Sequence, residues 1–153
     1  MAIRLLTITH KAKPWIHQGF NEYAQRLSAP YNLELIEIPP CKAKGDAKVM
    51  MEQESHKLLA AMRSDHIIVA LDRTGKAFST EEFAQKLAAW LSRGQTIDLL
   101  VGGADGLHAS CIKQAEVKWS LSPLTFPHQL VRILIAEQIY RAYTLTKNHP
   151  YHR

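Results

Sequence analysis

Ile97 to Gly106 reads IDLLVGGADG. Four of the first five residues are apolar, and two glycines follow at once. A short apolar run closed by glycine is the pattern of a buried strand feeding a loop. Two glycines straight after a strand let something approach the backbone closely, because neither carries a Cβ. This junction sets the first expectation: a buried sheet with a ligand beyond its strand ends.

Working outward, the same alternation repeats. Ile3–Thr9, Leu33–Ile38, His66–Asp72 and Trp119–Leu121 read as further strands, short and rich in apolar or branched residues. Between them lie helical patterns. One opens at Pro14-Trp15, with Trp15, Gly19, Tyr23 and Leu27 one turn apart; another covers Ala47 to about Met62. A third starts at Ser79 or Thr80, is followed by Glu81 and Glu82, and stops at Gly94. A short helix is expected over Ala109–Glu116, and a long amphipathic one from His128 to about Lys147. Strict alternation of strand and helix predicts an α/β fold, a mostly parallel sheet flanked by helices. No repeat or linker divides the chain, so residues 1–153 are expected to form one domain.

Composition narrows the class. Hydrophobic residues make up 46% of 153, enough for a core and too many for a disordered chain. No apolar run is long enough to span a membrane. The start, MAIRLLTITHKAKPW, is interrupted by Arg4 and lacks a small-residue cleavage site. The expected compartment is the cytoplasm. Cys41 and Cys111 lie far apart and in no CxxC, which fits ordinary reduced thiols. A net charge of +5 leans toward polyanionic partners.

The glycines place the ligand. Open α/β sheets bind beyond the carboxyl ends of their strands. The turn after the first strand, HKAKPW, has no glycine, which argues against a dinucleotide fold. The glycines cluster late instead, in LDRTG (Leu71–Gly75) and VGGADG (Val101–Gly106). A third late loop is SPLTFP (Ser122–Pro127). Gly75 alone reads as a turn residue. Together the three loops offer free main-chain groups and an apolar wall, suited to a neutral heterocycle and ribose. No GxxxxGK[ST] and no cation set supports a triphosphate there.

LDRTGK, LLVGGADGLH, LTFPHQLVRILIAEQIYRAY and the terminal NHPYHR together resemble the SPOUT-class methyltransferases that methylate N3 of a pseudouridine in 23S ribosomal RNA. The likeness runs from the first strand to the last residue. It implies an α/β fold with a trefoil knot near the C-terminus, S-adenosylmethionine (SAM) as methyl donor, and a homodimer with each active site near the subunit interface. It also implies that Leu71, Gly102, Gly103, Ser122, Pro123, Leu124, Thr125, Phe126 and Pro127 line the SAM pocket. One departure is Glu54-Ser55, where the family commonly has a Glu-Gly pair; it is expected to lie away from the pocket.

Methylating an imide nitrogen requires removal of its proton, so a base or a stabilising cation is needed. His128 follows the SAM loop and starts the last helix, where the helix N-terminus favours its neutral form. It is a candidate for the base, though a residue at a helix start can equally pack or cap there. Arg132 and Arg141 are candidates for RNA contact, with His149 beside them. A His149-x-x-His152 pair lacks a third ligand, so no metal is expected. With the resemblance, the tail reads as an ordered lid in which Tyr151, His152 and Arg153 contact the target nucleotide and stabilise its anion. With no separate RNA-binding domain, the chain is expected to read a formed surface of the assembled ribosome, not a naked sequence. Two alternatives remain open: a SPOUT enzyme acting on another RNA such as tRNA, and a ribosome-binding protein that has lost the chemistry.

Overall fold

A computed structural model describes residues 3–41, 45–103 and 105–152. Five strands form one sheet: β1 (Ile3–Ile8), β2 (Leu33–Ile38), β3 (Ile67–Ala77), β4 (Ile97–Val101) and β5 (Val117–Ser120). Their spatial order is β2-β1-β4-β3-β5, and each neighbouring pair is parallel. Helices α1 (Pro14–Ala24), α2 (Ala47–Ala61), α3 (Thr80–Ser92), α4 (Ala109–Gln114) and α5 (His128–Thr146) make the connections. The expected flanked parallel sheet is therefore present. No described helix is long and apolar enough to cross a membrane.

Strand alternation sorts the helices into two layers. Ile3 and Leu5 of β1 point to one face, and Leu6 and Ile8 to the other. The first face packs on Phe20 of α1, Phe83 and Leu87 of α3, and Ile135 and Ile139 of α5. The second packs on Leu58 of α2 and Cys111 of α4. A central strand buried on both sides needs apolar side chains at both parities, which is why LLVG reads as a continuous run. Ser79 caps α3, its hydroxyl accepting from the Glu82 N–H at 3.1 Å.

Two expectations need correction. The first is the α1 stripe. Trp15 stands 56% exposed, while Ile16 and Phe20 take the buried positions. Only Trp15, in the first turn, departs from the stripe: Gly19 abuts Ile133 of α5, Tyr23 packs against the core and Leu27 is buried in it. The second is LDRTG. It is not a turn that ends β3, because the strand runs on to Ala77. Leu71 and Lys76 both pair with Trp119, so Asp72–Gly75 form an excursion within the strand. Gly75 sits where a Cβ would lie 2.7 Å from the Lys118 carbonyl. Its role is backbone contact with β5, closer than any side chain permits.

Candidate active site

The excursion within β3 and the carboxyl ends of β4 and β5 surround a cavity of about 390 Å³. That volume lies in the range of small-molecule sites. Leu71, Val101, Leu107, Trp119, Leu121 and Phe126 supply apolar wall. Trp119 is fixed from beneath by Phe83, their rings stacked at 4.4 Å.

The glycine loop folds onto itself. The Gly106 N–H donates to the Gly103 carbonyl at 3.0 Å, and Gly106 has φ of +85°. A Cβ on Gly102 would lie 2.3 Å from the Gly106 carbonyl carbon. Only glycine fits there, so the reading of the double glycine as a close-approach site holds for Gly102. Gly103 has ordinary room on its side chain face, 3.5 Å from Glu54 Oε1. Glu54 is therefore beside the glycine loop, although neither it nor Ser55 lines the cavity. Its helix α2 covers the second face of the sheet, and its Oε2 accepts from the Cys41 N–H at 3.2 Å.

Of the expected SAM residues, Leu71, Gly102, Gly103, Ser122, Leu124, Thr125 and Phe126 line the cavity. Pro123 and Pro127 do not; both are exposed. Pro127 serves the helix instead, its carbonyl accepting from the Leu130 N–H at 2.9 Å. Ser122 shapes the loop by accepting from the Leu124 N–H at 3.0 Å. Arg73 and Trp119 also line the cavity and were not singled out from sequence. Arg73 fell within LDRTG, which was read for its glycine. Trp119 carried only a strand signal.

His128 opens α5 at the cavity rim. Burial pushes its pKa below the usual imidazole value, nearby Arg132 and His10 push it further down, and Glu54 pulls it up. The expected direction is found, with burial as the main cause.

Arg132 is not on the surface. It is 1% exposed and pairs with Glu37 of β2 at 3.2 Å. One turn after His128, its side chain faces the sheet, not an RNA. Arg141 is held by Glu137, through Nε at 3.0 Å and Nη2 at 2.7 Å. A rise of about 1.5 Å per residue puts Arg141 roughly 20 Å along α5 from His128. The structure does not bring Arg132, Arg141 and the cavity together as a substrate site within one chain.

The tail is ordered where it is described. Asn148 adopts φ of 54° and ends α5, a conformation asparagine tolerates. Pro150–His152 form a 3-10 turn, and His149 Nδ1 accepts from the Tyr151 N–H at 3.2 Å. Tyr151 docks on α5. Its ring meets Tyr140 at 4.7 Å, and its hydroxyl donates to Glu137 Oε1 at 3.1 Å. Burial and Glu137 raise its pKa to about 12. Arg153 and the side chain of His152 lie outside the described residues. Tyr140 is roughly 18 Å along α5 from His128, so this docked tail does not cover its own chain's cavity. Among the described residues no three His, Cys, Asp or Glu group as metal ligands would.

A family model described as "Predicted SPOUT methyltransferase" matches residues 1–152. The chain is 49% identical to ribosomal RNA large subunit methyltransferase H of Alkalilimnicola ehrlichii, covering 100% of this chain and 99% of that protein. The like-named protein of Coxiella burnetii is 46% identical, with all of both chains covered. That of Thioalkalivibrio sulfidiphilus is 44% identical, over 100% of this chain and 99% of its own.

Proposed function

The chain belongs to the SPOUT methyltransferase family, and from this we propose that it methylates large-subunit (23S) ribosomal RNA with SAM, at N3 of a pseudouridine on the assembled ribosome. The fold class is that of the family, a parallel sheet with a C-terminal trefoil knot, and the methyl donor is the family's SAM. The carrying observation is the cavity between the β3 excursion and the ends of β4 and β5, where Gly102 has no room for a Cβ. Its donor set fits SAM: main-chain groups of Gly102, Gly103 and the Ser122–Phe126 loop for adenosine, apolar walls against the rings, and no cluster of cations.

SAM, when bound, supplies a methyl group already activated by a sulfonium leaving group. The chain's residues have three tasks. The loops hold the donor in one orientation, so that attack is in line. The wall of Leu71, Leu107, Leu121 and Phe126 keeps water out. His128, biased toward its neutral form at the rim, takes the imide proton of the target base.

The tail belongs to the same reading. We assign it to the cavity of a partner subunit in a homodimer, since it docks far from the cavity of its own chain. Tyr151, His152 and Arg153 then meet the target nucleotide, with His149 and Arg141 behind them. Tyr151 keeps its hydroxyl bonded to Glu137, which positions the tail. The chain works as one domain, without a metal, in the cytoplasm.

The test is methyl transfer from labelled SAM to 70S ribosomes, 50S subunits, naked 23S rRNA and tRNA, all from cells lacking the activity. Label in assembled ribosomes is the expected result. Label in tRNA would overturn the substrate. No label anywhere, with RNA still bound, would leave a binding protein.

A further inference from the structure

Arg73 sits in the excursion of β3, at the cavity rim. It is the sole arginine or lysine among the described residues that line the cavity. Its Nη1 donates to Thr125 Oγ1 at 2.8 Å, across from one SAM loop to another. That bond uses one of five guanidinium donors and fixes the plane of the group. No described carboxylate lies within ion-pair distance of it. Its neighbour Asp72 is turned to other work, since Oδ1 accepts from both the N–H and the hydroxyl of Thr74, at 3.0 and 3.1 Å. An anchored guanidinium with free donors thus faces the cavity, whose other ionisable lining residues are Asp72, Asp105 and His128.

SAM has one anionic group, the carboxylate of its methionine end. The adenosine end is neutral and suits the apolar and main-chain lining. We propose that Arg73 binds this carboxylate, and so fixes which end of the cofactor lies toward the β3 excursion. Arginine suits the task because its planar fork matches a carboxylate in two parallel hydrogen bonds. The Thr125 bond makes the same contact close the loop over the cofactor. The inference rests on the SAM reading of the cavity.

Calorimetry on the full chain tests it, with two probes. S-adenosylhomocysteine carries the carboxylate; 5′-methylthioadenosine lacks the whole amino-acid end. Arg73→Gln should weaken S-adenosylhomocysteine roughly fivefold, the scale of an exposed charged pair, and leave methylthioadenosine unchanged. Equal weakening of both probes would mean that Arg73 only braces Thr125, and would overturn the proposal. No weakening of either would place Arg73 outside the cofactor site and overturn it too. If the wild-type chain bound neither probe, the SAM reading of the cavity itself would fail, a result distinct from the other two.

Discussion

Gly102 and Gly106 approach so closely that a Cβ on the first would lie 2.3 Å from the carbonyl carbon of the second. Gly103, its neighbour, has nothing nearer than 3.5 Å. Adjacent glycines thus carry unequal constraints, and Gly102→Ala and Gly103→Ala should separate. Alanine at 102 must push the glycine loop away and lower S-adenosylhomocysteine affinity by more than about tenfold. Alanine at 103 meets only ordinary contacts on that side, and its stability should change by less than about 1 kcal/mol. Calorimetry with melting curves reads both. Equal loss in the two variants would contradict the assignment.

His128 should titrate below the normal imidazole value, because burial, Arg132 and His10 all disfavour its charge. Glu54 opposes them, so Glu54→Gln should lower the His128 pKa further. Imidazole NMR titration reads both shifts. Since the folded pKa is depressed, the stability His128 contributes is present above its unfolded pKa. That stability is lost as pH falls through the folded one. If His128 takes the imide proton, it should also set the acid limb of the rate profile, and His128→Ala should slow transfer by about a hundredfold or more. An acid limb unchanged in that variant would remove His128 from the base role.

Arg132 offers a test of burial against function. Its Nε and Nη2 are buried without a hydrogen-bond partner among the described residues, and only Nη1 reaches Glu37. A buried charge so incompletely paired contributes little net stability. Arg132→Met should therefore hold stability within about 1 kcal/mol, whereas Arg132→Ala, which also leaves a cavity, should cost about 3 kcal/mol. Denaturant unfolding measures both. A large loss in the methionine variant would show that the charge itself is needed, as a ligand or a water held there would require.

Tyr151 should titrate near 12, raised by burial and by Glu137. The folded pKa lies above the ordinary value of about 10. The stability from docking this tail is thus intact below pH 10 and lost as pH rises through about 12. Glu137→Gln should bring the phenol part of the way back, leaving the burial contribution. Tyrosine carbon NMR follows the ring. A Tyr151 that titrates normally in the wild type would mean that the tail does not dock on α5.

The fold was legible because apolar periodicity is local. Strands such as IDLLV announce themselves, and their alternation with helices dictates a parallel sheet. The late loops were legible because glycine after a buried strand has few other causes. What stayed hidden depends on contacts between distant segments. Arg132 read as a surface charge because nothing near it in sequence mentions Glu37, 95 positions away. The approach of Glu54 to the glycine loop stayed hidden because α2 returns there only once the sheet is formed. Pro123 and Pro127 came with their loop, and single side chains within a loop cannot be sorted into facing in or out before it is folded. The tail was legible as ordered, through Pro150 and Tyr151, but its docking site on Glu137 and Tyr140 was not.

That docking site leads to the last prediction. One chain's Tyr151 lies against Tyr140, roughly 18 Å along α5 from the His128 at its own cavity. A tail that acts in catalysis must then serve the partner's cavity. Removing residues 150–153 should abolish transfer while S-adenosylhomocysteine still binds. Mixing that truncated chain with the Gly102→Ala chain should restore activity. Each mixed dimer joins the intact cavity of one to the intact tail of the other. Random exchange makes half of the dimers mixed, each with one complete site, so recovery should approach about a quarter of wild type. If the tail instead acted within its own chain, every site in the mixture would lack either a tail or a working cavity. The mixture would then stay as inactive as its two components.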